Sequence, residues 1–291
     1  SRGLGDVYKR QEYAHVDVFT CRRLEGNGLA VVFCPEAFPA PVTMLEIARE
    51  FKQFETIFVS DVADGAVEAR IFTVDGELPF AGHPLLGAAA ALHARLRPQE
   101  AEMPLLFRLC AKAVPTVSQR TPEGFHVRMR QGAPLFLEEV RRADYAMLAE
   151  AHNLTPADLD PRLPIEVVST GLPYALIPVR GCLGRARITI RDLEERLAGY
   201  GASYSYLFDS ETLEARTWDN LGLVEDSATG SAAGPLAAYL CRHGLLKEKQ
   251  TVLIRQGRYA NRPGELHAWM EDGEAYVSGG VVFFARGSFT L

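Results

Sequence analysis

The chain has 291 residues, 47 % hydrophobic and 23 % charged, with a formal net charge of −6. That length suits one large domain or two of roughly 130–150 residues. The composition is that of an ordinary globular protein whose core needs neither disulfides nor a metal. The mild acidic excess, with no Lys/Arg cluster interleaved with aromatics, argues against a nucleic-acid surface. No apolar run approaches the ~20 residues of a membrane span, and the N-terminus has no hydrophobic signal core. Five cysteines, Cys21, Cys34, Cys110, Cys182 and Cys241, are odd in number, widely spaced and without a C-x-x-C pattern. They read as free thiols in a reducing compartment, each a small buried apolar residue, so a cytoplasmic location is expected.

Residues 1–11 (SRGLGDVYKRQ) are polar and Gly-rich and are expected to be a disordered or non-native extension. Alternation predicts a strand over Tyr13–Thr20, a turn at Gly26-Asn27-Gly28 and a second strand over Leu29–Phe33. Thr43 is placed to cap a helix running through Met44, Ile47, Ala48 and Phe51. Strands follow at Glu55–Ser60 and Ala69–Thr73, then a loop, Glu77-Leu-Pro-Phe-Ala-Gly-His-Pro, and an Ala/Leu-rich buried helix over Leu85–Leu96. Phe107–Val117 and Gly124–Arg130 read as strands and Tyr145–His152 as a short helix. Ile165–Val179 reads as two strands about a Gly-Leu-Pro turn. A helix over Ile190–Leu197 is started by Asp192, and strands cover Tyr204–Phe208 and Glu214–Trp218. The loop Glu225-Asp-Ser-Ala-Thr-Gly-Ser opens a small-residue helix reaching Arg242. Thr251–Gln256, Glu265–Met270, Ala275–Val277 and Val281–Ala285 close the chain as strands.

The two halves resemble each other. Glu77 and Glu225 each stand five residues before a glycine, Gly82 and Gly230, that opens an Ala-rich helix. Each loop follows a strand carrying an arginine, Arg70 or Arg216. An internal duplication predicts two similar lobes facing across a cleft. A helix start offers unpaired N–H groups and about +0.5 of charge, and glycine lets a ligand approach the backbone. Gly82-His83 and Gly230-Ser231 could therefore bind a carboxylate. The plainer explanation is that small residues let two central helices pack tightly. Neither loop has a nucleotide-binding glycine pattern.

Few side chains are candidates for chemistry. Glu55, beside Phe51, Phe54 and Phe58, could be desolvated and suited to acid/base work, or be a solvated strand end. Asp226 could act in the second loop or merely shape its turn. His83 at a helix start should be neutral, because the positive dipole end lowers its pKa. It could equally be a loop residue, and Ser231 a simple helix-start residue. The histidines are scattered and no His/Cys/Asp/Glu set has metal-site spacing. G-x-S-x-G is absent.

Together several segments resemble the phenazine biosynthesis PhzF-like family of the diaminopimelate epimerase-like fold. They are Val16-Asp-Val-Phe-Thr, Gly26-Asn27, Phe54-Glu55-Thr56, Arg70-Ile-Phe-Thr, Glu77-Leu-Pro-Phe-Ala-Gly-His-Pro, Ser169-Thr-Gly-Leu-Pro and Glu225-Asp-Ser-Ala-Thr-Gly-Ser-Ala-Ala-Gly. Gln256-Gly257, Arg262-Pro263 and Gly279-Gly280 also fit. The resemblance implies an α+β fold of two pseudo-symmetric lobes, each a curved, mostly antiparallel sheet around a central helix. The N-terminal lobe would cover 12–128, with the last strand, about 281–291, returning to it, and the C-terminal lobe would cover 129–280. It implies a cofactor-independent homodimeric isomerase acting between the lobes on a small carboxylate such as trans-2,3-dihydro-3-hydroxyanthranilate, with no metal, nucleic-acid or membrane partner.

In that family a glutamate at the position of Glu55 moves the proton, and the catalytic set includes His83 and Asp226. Substrate would be held by Asn27, Gly82, Gly230 and Ser231. Phe54, Gly28 and Ser227 stand where the family commonly has Ser, Pro and Pro, which could reshape the pocket. A same-fold amino-acid epimerase would need a cysteine pair, and neither loop, 77–84 or 225–232, holds one. A non-catalytic binding protein that keeps the fold is the other alternative.

Overall fold

The computed structural model describes residues 10–291. In chain order its elements are β1 (Arg10–Val18), β2 (Asn27–Phe33), α1 (Pro41–Phe51), β3 (Glu55–Val59), β4 (Ala66–Phe72), β5 (Glu77–Leu78), α2 (Gly82–Leu96), β6 (Glu102–Arg108), β7 (Ala113–Arg120) and β8 (Phe125–Gly132). Then follow β9 (Leu135–Glu139), α3 (Tyr145–Ala151), β10 (Glu166–Ser169), β11 (Pro173–Val179), α4 (Leu193–Ala198), β12 (Tyr204–Asp209), β13 (Glu214–Trp218), β14 (Glu225–Asp226), α5 (Gly230–Arg242), β15 (Val252–Gln256), β16 (Gly264–Glu271) and β17 (Glu274–Thr290). The fold is mixed α+β, as the sequence predicts.

These elements form two units. The first comprises the described residues up to Leu24, Gly28–Met129 and Gly280–Leu291; the second comprises Glu25–Asn27 and Arg130–Gly279. Of the extension expected over 1–11, residues 1–9 lie outside the described residues. Arg10 and Gln11 instead open β1, where they pair with Thr290 and Phe289.

In the first unit the strands run β17–β1–β2–β3–β4–β6–β7–β8. The β2–β3 and β4–β6 pairs are parallel. Helix α2 touches β1, β3, β6 and β7, so the sheet curls around it. From Gly82 to His93 every residue of α2 is buried, which is why its sequence is apolar on all sides rather than on one stripe. On the outer face α1 packs Met44, Ile47 and Ala48 against Val32, Phe58 and Phe72.

The second unit repeats this plan. Its strands run β9–β10–β11–β12–β13–β15–β16–β17, with β11–β12 and β13–β15 parallel. The enclosed helix is α5, packed on β10, β11 and β16 and buried from Gly230 to Leu240. Outside the sheet, Leu148 and Ala151 of α3 and Leu193 and Leu197 of α4 cover Val167, Ile177 and Leu207. The two parallel pairs fall at the same places in the two strand orders, so the duplication read from the two glycine loops is seen again in the strand order of each unit.

Five local expectations are corrected. Of the cysteines expected to be buried, Cys34 and Cys182 are, but Cys21 and Cys110 are exposed and Cys241 is half-buried. Thr43 does not cap α1: Ala40 holds that position and Pro41 opens the helix, because proline's fixed φ suits a first turn that needs no N–H. The strand expected over Phe107–Val117 is two, since Leu109 N–H bonds the Lys112 carbonyl at 2.9 Å and reverses the chain. Asp192 precedes α4 but makes no cap, and its carboxylate accepts from Arg196 instead. The two last strands are one, β17, running straight through Gly279-Gly280. There a Cβ on Gly280 would sit 2.6 Å from the Thr20 carbonyl oxygen, so the glycine serves a close backbone approach rather than a break. Among the described residues, no helix is long and apolar enough to cross a membrane.

Candidate active site

Both glycine loops are anchored in the same way. In the first unit Arg70 of β4 donates from Nε and Nη2 to the two carboxylate oxygens of Glu77, at 2.8 and 2.5 Å. In the second, Arg216 of β13 does the same to Glu225, at 2.9 and 2.5 Å. Bidentate pairs of this kind fix direction as well as distance. The short strands β5 and β14 are thereby clamped to the strand beside them, and each chain enters its central helix from a set point. Glu77 and Glu225 thus have a structural job. Neither helix has a side-chain cap at its N-terminus.

In the first unit Glu55 is the first residue of β3 and only 6 % exposed. Strand alternation puts it on the face of Ile57 and Val59. Phe58 lies on the opposite face with the α1 cluster, so it is not the desolvating neighbour the sequence suggested. His83, the second residue of α2, is 3 % exposed, and its Nε2 lies 3.3 Å from Glu55 Oε2. Burial drives the His83 pKa from 6.5 down to about 3. The imidazole is neutral, as expected, but burial is the cause. Gly82 stands beside it at the helix start. Nearby in sequence, Phe80 carries the Lys112 ammonium over its ring, 3.8 Å from the centroid. Burial lowers that amine to about 8.

In the second unit Asp226 ends β14 and is 5 % exposed. Asn27 Nδ2 donates to its Oδ1 at 2.7 Å and to the Ala228 carbonyl at 3.0 Å. Thr229 Oγ1 donates to Oδ2 at 2.6 Å. Burial pushes Asp226 above the usual carboxylate range, while Thr229, the Ala228 backbone and Asn27 pull it down. Asn27 and Asp226, named separately from the sequence, are therefore one hydrogen-bonded pair, and Asn27 spends its amide on protein acceptors. Ser231 Oγ shares a 2.7 Å hydrogen bond with Tyr174 Oη. The Gly230 carbonyl accepts from Gln131 at 2.8 Å.

Sequence reasoning missed Thr229, Gln256, Tyr206, Tyr174 and Gln131 as supports of this cluster. Ser227 Oγ donates to the Gly26 carbonyl at 3.0 Å, a bond no proline could make.

The duplicated α+β fold carries a buried titratable pair at one helix start and a hydrogen-bonded carboxylate at the other. A family model described as phenazine biosynthesis-like protein (PhzC-PhzF) matches residues 16–287. Trans-2,3-dihydro-3-hydroxyanthranilate isomerase of Pseudomonas fluorescens is 34 % identical, over 96 % of this chain and 99 % of that one. The uncharacterized isomerase YddE of Escherichia coli K12 is 30 % identical over 88 % of each. Among solved structures, a predicted epimerase from Pseudomonas aeruginosa has a TM-score of 0.91 at 46 % identity, covering 96 % of this chain and 99 % of its own. A probable proline racemase from Agrobacterium radiobacter, at 14 % identity and a TM-score of 0.69 over 97 % and 93 % of the chains, shares the fold. The chain belongs to the PhzF family and is an isomerase of that family.

Proposed function

We propose that this isomerase moves a proton between two carbons of a small unsaturated carboxylate of the dihydro-hydroxyanthranilate type, with Glu55 as the carrier. The observation that carries the reading is the buried Glu55–His83 contact at 3.3 Å. A carboxylate held out of water beside a neutral imidazole is a stronger base than a solvated one. It takes a proton from an sp3 carbon while the electrons of that C–H bond enter the adjacent π system, and it returns the proton to a second carbon. Substrate and product are isomers, so no oxidant, reductant or cofactor is needed. His83 stands beside the carrier with Nε2 3.3 Å from Glu55 Oε2, and as a neutral imidazole it adds no charge there to hold the proton or repel it.

Asp226, Ser231 and Gly230 in the second unit, and Gly82 in the first, are the proposed substrate contacts, with Asn27 acting through the hydrogen bond it donates to Asp226. N–H groups at the helix starts suit the substrate carboxylate. The Pseudomonas fluorescens relative, whose name gives trans-2,3-dihydro-3-hydroxyanthranilate as its substrate, supports that choice of compound class. The test is turnover of that compound and a panel of cyclic and acyclic β,γ-unsaturated amino acids. Isomerisation of at least one, reduced about 10²-fold or more in His83→Phe as a positioned acid/base partner is lost, supports the reading. Tight binding with no isomerisation of any panel member would make the chain a binding protein instead.

A further inference from the structure

Gln256 is 2 % exposed and all of its amide is used. Its Nε2 donates to the Asp226 backbone carbonyl at 2.7 Å and to Thr229 Oγ1 at 2.8 Å. Its Oε1 accepts from Tyr206 Oη at 3.0 Å and from the Thr229 backbone N–H at 3.1 Å. The orientation of this amide follows from its neighbours. Exchanging Nε2 and Oε1 would set oxygen against the Asp226 carbonyl and a donor against the Thr229 N–H.

That orientation decides where one hydroxyl proton points. Thr229 Oγ1 accepts from Gln256, so its single hydrogen goes to Asp226 Oδ2, 2.6 Å away. The other oxygen, Oδ1, faces the Asn27 amide. Exchanging the Asn27 amide would put its oxygen against both Oδ1 and the Ala228 carbonyl, so it too is fixed. Each Asp226 oxygen therefore meets a donor. A proton on Oδ2 would point at an oxygen already receiving from Gln256 and would leave the Thr229 hydrogen without an acceptor. Burial favours a proton on Asp226, while the Asn27 and Thr229 donors, each aimed at one of its oxygens, are best satisfied by the ionised form and oppose that proton.

We infer that Gln256 is a positioning residue which, through Thr229, holds Asp226 as a permanent anion that accepts hydrogen bonds but gives no proton. The inference deepens the isomerase reading and rests on it for one consequence: proton traffic is confined to Glu55 and His83. A bound molecule would present a hydrogen-bond donor, such as an amino or hydroxyl group, to Asp226. Thr229 occupies the N-cap position of α5 yet makes no side-chain cap, because its hydroxyl is committed to Asp226.

The experiment is carbon-13 NMR of the aspartate carboxyls in the full chain, with the Asp226 signal assigned by Asp226→Asn. The expected result is an Asp226 carboxyl that stays ionised from pH 6 to 8 and titrates at least one pH unit higher in Gln256→Met. Thr229→Val, which removes the donor and keeps the shape, should give the same shift and decides the matter if Gln256→Met does not fold. A protonated Asp226 at pH 7 in the unaltered chain overturns the inference, and so does a folded Gln256→Met or Thr229→Val with no shift. The signal is read without turnover, so failure of the isomerase reading leaves this result standing, and the reverse also holds.

Discussion

Two buried histidines tie single residues to the pH dependence of the whole fold. His83 is driven to about 3 and His152 to about 4, in both cases chiefly by burial. His152 is fully buried, donating from Nδ1 to the Leu148 carbonyl and accepting at Nε2 from Ser205 Oγ, each at 2.7 Å. Unfolded histidine binds a proton near 6.5. Between that value and the folded pKa the unfolded chain holds more protons, so stability rises with pH. The contribution is fully present above about 6.5 and is lost as pH falls toward 4 and then 3. The urea midpoint should drop between pH 7.5 and pH 5 in the unaltered chain and drop less in His83→Gln. Equal slopes in the two would contradict the assignment. Much at this scale was legible in the sequence: Glu55, His83, Asp226 and Ser231 stand in motif-bearing segments, and two of them meet. The supports were not legible, because Gln256 reaches Thr229 across 27 residues of chain and Tyr174 reaches Ser231 across 57.

At the scale of elements, the two central helices explain their own odd composition. In α2 a Cβ on Gly87 would stand 2.4 Å from Leu29 Cδ2 and near 3 Å from methyls of Val16 and Val18, all fully buried. In α5 a Cβ on Gly234 would lie 2.0 Å from Gln131 Oε1. That amide is pinned by the Gly230 carbonyl and by Thr170. Small residues here are a packing requirement, which was the plainer reading of the sequence. Gly87→Val should destabilise by about 1–3 kcal/mol through overpacking, against a helix-propensity gain below ~1 kcal/mol. Urea unfolding with an unchanged slope reads this directly, and an unchanged midpoint would refute it. Periodicity exposed most strands because one face of each is buried. It failed where the deciding contact was remote, as in β14, a two-residue strand created by pairing with β13. It failed too in β17, whose glycines fit the chain passing at Thr20.

At the scale of the molecule, the duplication matters more than any one motif. Two units with the same strand order each clamp a glycine loop with an Arg–Glu pair and deliver it to the start of a buried helix. The sequence showed this as a faint echo, Arg70 and Glu77 against Arg216 and Glu225, while the matching strand order could not be read without the pairings. One copy has placed a carboxylate–imidazole pair at its helix start and the other a carboxylate ringed by donors. The most direct test is uptake of solvent deuterium into a turned-over substrate by the unaltered chain and by Glu55→Gln, with folding matched by circular dichroism. Carbon-bound deuterium in the first and a loss of about 10²-fold or more in the second is the predicted result; equal uptake by both would contradict Glu55 as the proton carrier.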